Sequence, residues 1–178
     1  MRKLLLKMEM SLDGHVADSE GGSSWPLDFY DDKLTADCVA FLAAAGLHIM
    51  GRQSYEDMAP YWPTSTSPFA KPMNDTPKVV FSRSLEEANW PETRIHRGDL
   101  AEEIERLKLQ DGGPIVVHGG VRFVQSLTRS RLIDEYRLHV HPTALGSGRS
   151  LFDAPLKLNL VDMRRFSSGT VAMTYTPG

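Results

Sequence analysis

Three short segments combine residue types that bind anions, and each follows an apolar run. Gly51-Arg52-Gln53-Ser54 brings a guanidinium and a hydroxyl to a glycine-led turn where a helix can begin, so free amides and a cation would face the same anion. Ser82-Arg83-Ser84 repeats that chemistry with two hydroxyls and one cation. His118-Gly119-Gly120-Val121-Arg122 adds paired glycines, which let backbone approach a pyrophosphate closely and present amides at a helix start. Each segment taken alone also fits an ordinary turn with a surface arginine or a helix-capping serine. Together on one sheet edge they suit an extended ligand with several phosphates, such as a dinucleotide. The Rossmann glycine fingerprint and the P-loop pattern are both absent, so a different dinucleotide fold is required.

Other groups have competing readings. His139 and His141 stand two apart on a predicted strand and so share a face, which could offer two imidazoles to a metal. No third ligand is evident, so no metal site is expected, and the pair reads as a sheet face or a subunit contact. Trp25, Tyr55, Tyr61 and Trp62 could line a flat heterocycle's pocket or simply pack. Asp13 fits a turn, and Asp31 with Asp32 fits the first turn of a helix.

The elements that must hold these groups follow from the hydrophobic pattern. Leu4 to Met10, Leu47 to Met50, Lys78 to Phe81, Pro114 to His118 and Glu135 to His141 read as strands. Asp31 to Ala45, a segment from Arg52, Leu100 to Leu109 and Gly119 to about Thr128 read as helices. Residues 60 to 77 carry Pro60, Pro63, Pro68, Pro72 and Pro77 among serines and threonines and read as a surface excursion. Two β-like runs between Leu156 and Thr176, separated by Ser167-Ser168-Gly169, predict a hairpin. The order predicts one α/β domain over 1–178, with a sheet parallel in its centre and mixed at one edge. Ligands in such sheets bind beyond the carboxyl ends of the strands, where the three anion-binding segments fall.

Composition sets the boundaries. With 178 residues, 20 basic against 23 acidic side chains and a net charge of -3, the chain has neither the clustered basic face of a nucleic-acid binder nor the profile of a disordered one. Lys7 and Glu9 interrupt the N-terminal apolar run too early for a signal peptide, and no segment reaches the ~20 apolar residues of a membrane span. The lone Cys38 fits a reducing compartment, so a cytoplasmic protein is expected.

Several motifs, in order, resemble the dihydrofolate reductase-like superfamily and, within it, the riboflavin-pathway (RibD C-terminal) reductase domain and its stand-alone relatives. They are Met10-Ser11-Leu12-Asp13-Gly14-His15-Val16-Ala17, Gly51 to Glu56, Pro77 to Arg83, Val117 to Gly120, and Leu132 to Tyr136 leading to Pro142 and Leu145-Gly146-Ser147-Gly148. The resemblance implies a three-layer fold, with flanking helices, a mixed, mostly parallel sheet and a C-terminal antiparallel hairpin. It also implies NADPH across the strand ends. By it Gly51, Arg52, Gln53 and Ser54 hold the pyrophosphate, Ser82 and Arg83 the 2′-phosphate end, and Gly119, Gly120, Val121 and Arg122 the central phosphates, while Val16 and Ala17 border the nicotinamide. Asp13, Trp25, Tyr55 and His118 are expected toward the substrate. His118 stands where the pathway enzyme typically has an acid. Folate reductases carry a proton-donating acid on the first helix, which places Asp31 as the candidate catalyst, in a desolvated pocket that would raise its pKa. The zinc deaminase pattern His-x-Glu with Pro-Cys-x-x-Cys is absent. The resemblance thus implies an NADPH-dependent reductase of a small heterocyclic or sugar-derived substrate, and a homodimer with the His139–His141 strand near the contact. The alternatives are a strict dihydrofolate reductase and a nucleotide-binding module without turnover.

Overall fold

Strand β1 (Leu4–Ser11) shows how the chain divides its surroundings. Leu4 and Leu6 turn to one face, while Leu5, Lys7 and Glu9 turn to the other, because successive side chains of a strand alternate. In this computed structural model, which describes residues 1–178, β1 is a central strand of an eight-stranded sheet. The chain continues through β2 (His15–Ala17), helix α1 (Asp32–Ala43), β3 (Leu47–Gly51), α2 (Arg52–Met58), α3 (Ala70–Asp75), β4 (Lys78–Phe81), β5 (Thr93–His96) and α4 (Leu100–Lys108). It ends with β6 (Ile115–His118), α5 (Val121–Arg129), β7 (Glu135–His141), β8 (Arg149–Ser150), β9 (Leu158–Arg165) and β10 (Val171–Pro177). The sheet order is β5-β4-β3-β6-β1-β7-β10-β9. Strands β5 through β7 are parallel and the β9–β10 hairpin is antiparallel, as the pattern predicts.

Two cores sandwich the sheet. Leu4, Leu6, Ile49, Val79, Ile115 and Val117 pack with Ile104 and Leu107 of α4 and with Val124 and Leu127 of α5. On the other face Leu5, Met50, Val80 and Val116 pack with Phe41 and Leu42 of α1, Met73 of α3 and Trp90. Each such side chain contributes roughly 1.5 to 3 kcal/mol on burial, which fixes the register of every central strand.

The ladder between β1 and β6 sets the site. It runs only from Leu4–Ile115 to Leu6–Val117, whereas β1 stays beside β7 to Ser11–His141 and β6 stays beside β3 to Met50–His118. From Lys7 onward the two strands part, opening a cleft at the carboxyl ends of the sheet. A separate ribbon of β2 and β8 flanks this cleft.

Four elements depart from the sequence pattern. The proline-rich excursion contains α3, with Ala70, Pro72 and Met73 buried, because a proline in the first helical turn forfeits no helical hydrogen bond. Strand β5 pairs with β4 from Lys78–Thr93 to Phe81–His96, although Thr-Arg-Ile-His carries little apolar signal. Strands β2 and β8 are too short for periodicity to reveal.

Candidate active site

Gly119 and Gly120 adopt positive φ of 23° and 73°, so the backbone turns where a side chain would be strained, and α5 starts immediately afterwards. Ser54, on the inner side of α2, faces this turn, and a Cβ on Gly120 would stand 3.2 Å from its hydroxyl oxygen. Val16, Ala17, Gln53, Ser54, Gly119, Gly120 and Val121 share one cavity of about 300 Å³, with Met8 and Arg149 on its wall. A cofactor's phosphates would fill the space that side chains on the paired glycines would take. Gly51 precedes α2 as its capping residue, and Gln53 holds Asp57 at 3.0 Å on the rim.

Two further cavities lie near the strand ends, the first sharing Val121 and Arg149 with this one. Arg122 and Arg149 line one with Gln125 and Ser150. Ser82 and Arg83 line the other with His96 and Arg97. The guanidinium groups of Arg83, Arg122 and Arg149 have neither a hydrogen-bond nor a carboxylate partner within the chain, so each is free to take an anion. Arg97 is already committed to the carbonyl oxygens of Leu85 and Glu86. Ser82 Oγ accepts from the Leu85 amide at 3.0 Å, which leaves its hydroxyl hydrogen available. Arg52 donates to Glu56 at 2.6 Å and to Ser84 at 2.7 Å. Its guanidinium thus reaches Ser84, next to Arg83.

The expected substrate and catalytic residues fare unevenly. Asp31 is the N-cap of α1, accepting from the Leu34 amide at 2.8 Å, and its other oxygen binds Ser167 and the Ser168 amide. The Ser167 hydroxyl and then these amides lower its pKa, opposite to the desolvated acid expected. Asp13 is likewise engaged, accepting from Ser11 at 2.6 Å, Leu145 at 3.1 Å and Gly146 at 2.7 Å, so it ties the β1–β2 turn to the loop before β8. Tyr55 is buried, its hydroxyl accepting from the Asn89 and Trp90 amides, and it belongs to the core rather than to a substrate pocket. Trp25 packs edge-on against His141 at 5.5 Å, and its indole nitrogen is buried without a partner.

His118 does reach the parting of the sheet. Its ring stacks on buried His48 at 4.5 Å between centroids, and the two imidazoles are hydrogen-bonded. Burial, then the Lys78 ammonium, lowers His48 to about 3. Burial, then the charges of His48, Lys7 and Lys78, keeps His118 well below its ordinary value. At neutral pH both rings are uncharged, so the cleft meets a neutral hydrogen-bonding group.

A polar cluster, without a local motif of its own, lies on the face of β1 that carries Lys7 and Glu9. Lys7 donates to the Tyr30 hydroxyl at 2.9 Å and to Glu9, and Tyr30 donates to Glu9 at 2.6 Å. His141 meets the second Glu9 oxygen at 2.6 Å, with His139 3.5 Å from it. Burial alone would raise Glu9, but the Lys7 ammonium and the two histidines hold it well below the carboxylate range. Burial alone would lower Lys7, yet Glu9 and then Tyr30 leave it raised. Glu9, Cys38 and His139 bring donor atoms within 4.8 Å of one another, but the Lys7 ammonium already supplies the positive charge there. The buried histidine pair thus has its partners inside the chain. The signal was present in Leu-Leu-Leu-Lys-Met-Glu-Met, where two charges recur at strand spacing inside an apolar run. Arg149 carries no sequence signal because β8 has only two residues.

An eight-stranded mixed sheet between helices, with a cleft where its central strands part, defines a dihydrofolate reductase-like fold. The model of the RibD C-terminal domain matches residues 2–172, and the chain belongs to that family. YyaP, an uncharacterized protein of Bacillus subtilis (strain 168), is 31% identical over 182 residues, covering 98% of this chain and 94% of YyaP. A putative riboflavin biosynthesis protein from Shewanella sp. PV-4 superposes with a TM-score of 0.81 at 22% identity over 99% of both chains. Dihydrofolate reductase from Enterococcus faecalis, complexed with NADP(H) and RAB-propyl, superposes with a TM-score of 0.66 at 11% identity, over 99% of this chain and 96% of that one.

Proposed function

We propose that this chain is an NADPH-dependent reductase of a small heterocyclic or sugar-derived substrate, of the riboflavin-pathway type or related to it. The observation that carries the reading is the Gly119–Gly120 turn facing Ser54, whose cavity shares Val121 and Arg149 with a second one lined by the unpaired Arg122, while the unpaired Arg83 lines a third. Bound NADPH would supply the hydride. The chain's own part is to hold phosphates at Gly119, Gly120, Ser54 and Arg122, a 2′-phosphate at Ser82 and Arg83, and the nicotinamide against Val16 and Ala17. Family membership and the NADP(H) complex of a structural neighbour support the same cofactor. The strict folate reductase reading is weakened, because the acid it needs, Asp31, caps a helix.

Titration of NADPH fluorescence, followed by a screen of NADPH oxidation with pterins, dihydrofolate, pyrimidine ribitol precursors and quinones, tests this. Saturable binding with oxidation by one substrate class is expected, and no binding at millimolar NADPH overturns the reading. A homodimer and a cytoplasmic location belong to the same proposal. They are supported by the exposed Leu160, Val161 and Met163 on edge strand β9 and by the single reduced cysteine, Cys38.

A further inference from the structure

Strand β8 is only two residues long, and its register decides where Arg149 goes. Ala17 of β2 stands opposite Arg149, and residues directly opposite in an antiparallel pair project from the same face. Gly148 brings the two strands close, since a Cβ there would overlap the Ala17 carbonyl oxygen. Asp13 fixes the approach by accepting from the Leu145 and Gly146 amides just upstream. The guanidinium then lies against the loop from Asp18 to Gly22, where a Cβ on Gly21 would stand 3.2 Å from Nη2. Gly21 has a φ of 90°, and Asp18 closes that loop by accepting from the Glu20 and Gly22 amides at 2.9 and 2.7 Å. Backbone on both sides thus positions the guanidinium while leaving it unpaired.

Two cavities meet at this residue. Arg149 lines the one that holds Val16, Ala17 and the Gly119–Gly120 turn, and it also lines the one of about 510 Å³ that holds Arg122. Arg122 lines only the second, and Val121 at the start of α5 is common to both. The acids of these walls are already engaged, Asp57 with Gln53 at 3.0 Å and Asp153 with Arg129. A dinucleotide's pyrophosphate carries two negative charges, one on each phosphate. The paired glycines and the amides of α5 offer dipoles but no net charge. The unpaired Arg149 and Arg122 supply the two cations that such a dianion lacks.

We propose that Arg149 is the cation for the phosphate that carries the nicotinamide riboside, and that Arg122 takes the adenosine-side phosphate. The inference rests on the reductase reading above. Its direction comes from the shared walls, because Arg149 stands in the cavity of Val16 and Ala17 and Arg122 does not. The β2–β8 pairing then has two linked tasks, setting the nicotinamide wall through Ala17 and the adjoining charge through Arg149. A guanidinium can give one phosphate two parallel hydrogen bonds, so the contact orients the cofactor as well as attracting it.

Binding measurements test this without any substrate. In fluorescence titrations Arg149→Ala should weaken NADPH and NADH alike, about tenfold or more, because both contain that phosphate. Arg149→Lys keeps the charge without the fork and should recover part of the affinity. ³¹P NMR of the saturated NADPH complex should show a pyrophosphate resonance displaced in Arg149→Ala with the 2′-phosphate resonance unmoved, and the reverse in Arg83→Ala. Arg149→Gln, closer in length, replaces Arg149→Ala should the latter lower the melting temperature. Affinities for both cofactors within about twofold of wild type would overturn the proposal, and so would a displacement confined to the 2′-phosphate resonance. Failure of the unaltered protein to bind NADPH would instead overturn the reductase reading.

Discussion

Arg83 is exposed and unpartnered beside the free hydrogen of Ser82, so a 2′-phosphate would gain a charge-assisted contact there that NADH cannot make. Such a contact contributes roughly 1.5 to 3 kcal/mol, and Arg83→Ala should weaken NADPH about tenfold or more while changing NADH little, as read by parallel fluorescence titrations. Equal losses for both cofactors would move the 2′-phosphate elsewhere. Asp31 makes the opposite kind of prediction. Its carboxyl caps α1 and anchors the Ser167–Ser168 turn, and asparagine can cap a helix as well as aspartate. Asp31→Asn should therefore leave turnover within about twofold of wild type, whereas Asp31→Ala should lower the melting temperature without selectively slowing the reaction.

Among elements, α4 is held to β5 by one carboxylate. Glu103 accepts from Arg106 at 2.8 Å and from Arg94 at 2.5 Å, and the Arg106 hydrogen bonds, with Arg94 adding its own, lower its pKa to about 2. A depressed folded-state pKa stabilises the protein above the unfolded value of ~4.3 and loses that contribution as pH falls toward 2. Because both arginines are about half exposed, the contribution is on the order of 1 to 2 kcal/mol. Glu103→Gln should lower denaturant stability at pH 7 by that amount and flatten its dependence between pH 4 and 2. The β2–β8 ribbon depends on Gly148, whose φ is 155° and whose added Cβ would overlap the Ala17 carbonyl oxygen. Gly148→Ala should cost on the order of 1 to 3 kcal/mol and, by pushing Ala17 aside, weaken NADPH and NADH alike. Calorimetry and the two titrations check this, and unaltered affinity for both would remove β2 from the nicotinamide wall.

For the molecule as a whole, β9 leaves one edge of the sheet unpaired, with Leu160, Val161 and Met163 exposed along it. A second copy covering that strand would satisfy its backbone and bury its apolar side chains. Light scattering at micromolar concentration should then give about twice the chain mass of 19.9 kDa, and Val161→Lys should shift the mass toward the monomer. A monomeric mass for the unaltered protein would refute the dimer. No helix is long and apolar enough to cross a membrane.

The central strands, the hairpin and the paired-glycine turn were legible in the sequence because each depends on short-range signals. Leu4 to Met10 and Ile115 to His118 announce buried strands by composition, and Gly119-Gly120 ahead of a helix announces a backbone that approaches an anion. The polar chemistry on the opposite face needed the fold. Lys7, Glu9, Tyr30 and His141 come from β1, the segment before α1 and β7, and no local pattern shows that they touch. Only the parallel register of β1 on β7, which sets Glu9 beside His139 and Ser11 beside His141, brings them together. Tertiary structure also decided what each acid holds. Asp31 and Glu9 are both single carboxylates in sequence, yet hydrogen bonds from Leu34 and Ser168 commit one to a helix end, and burial beside Lys7 and His141 turns the other into the centre of a network.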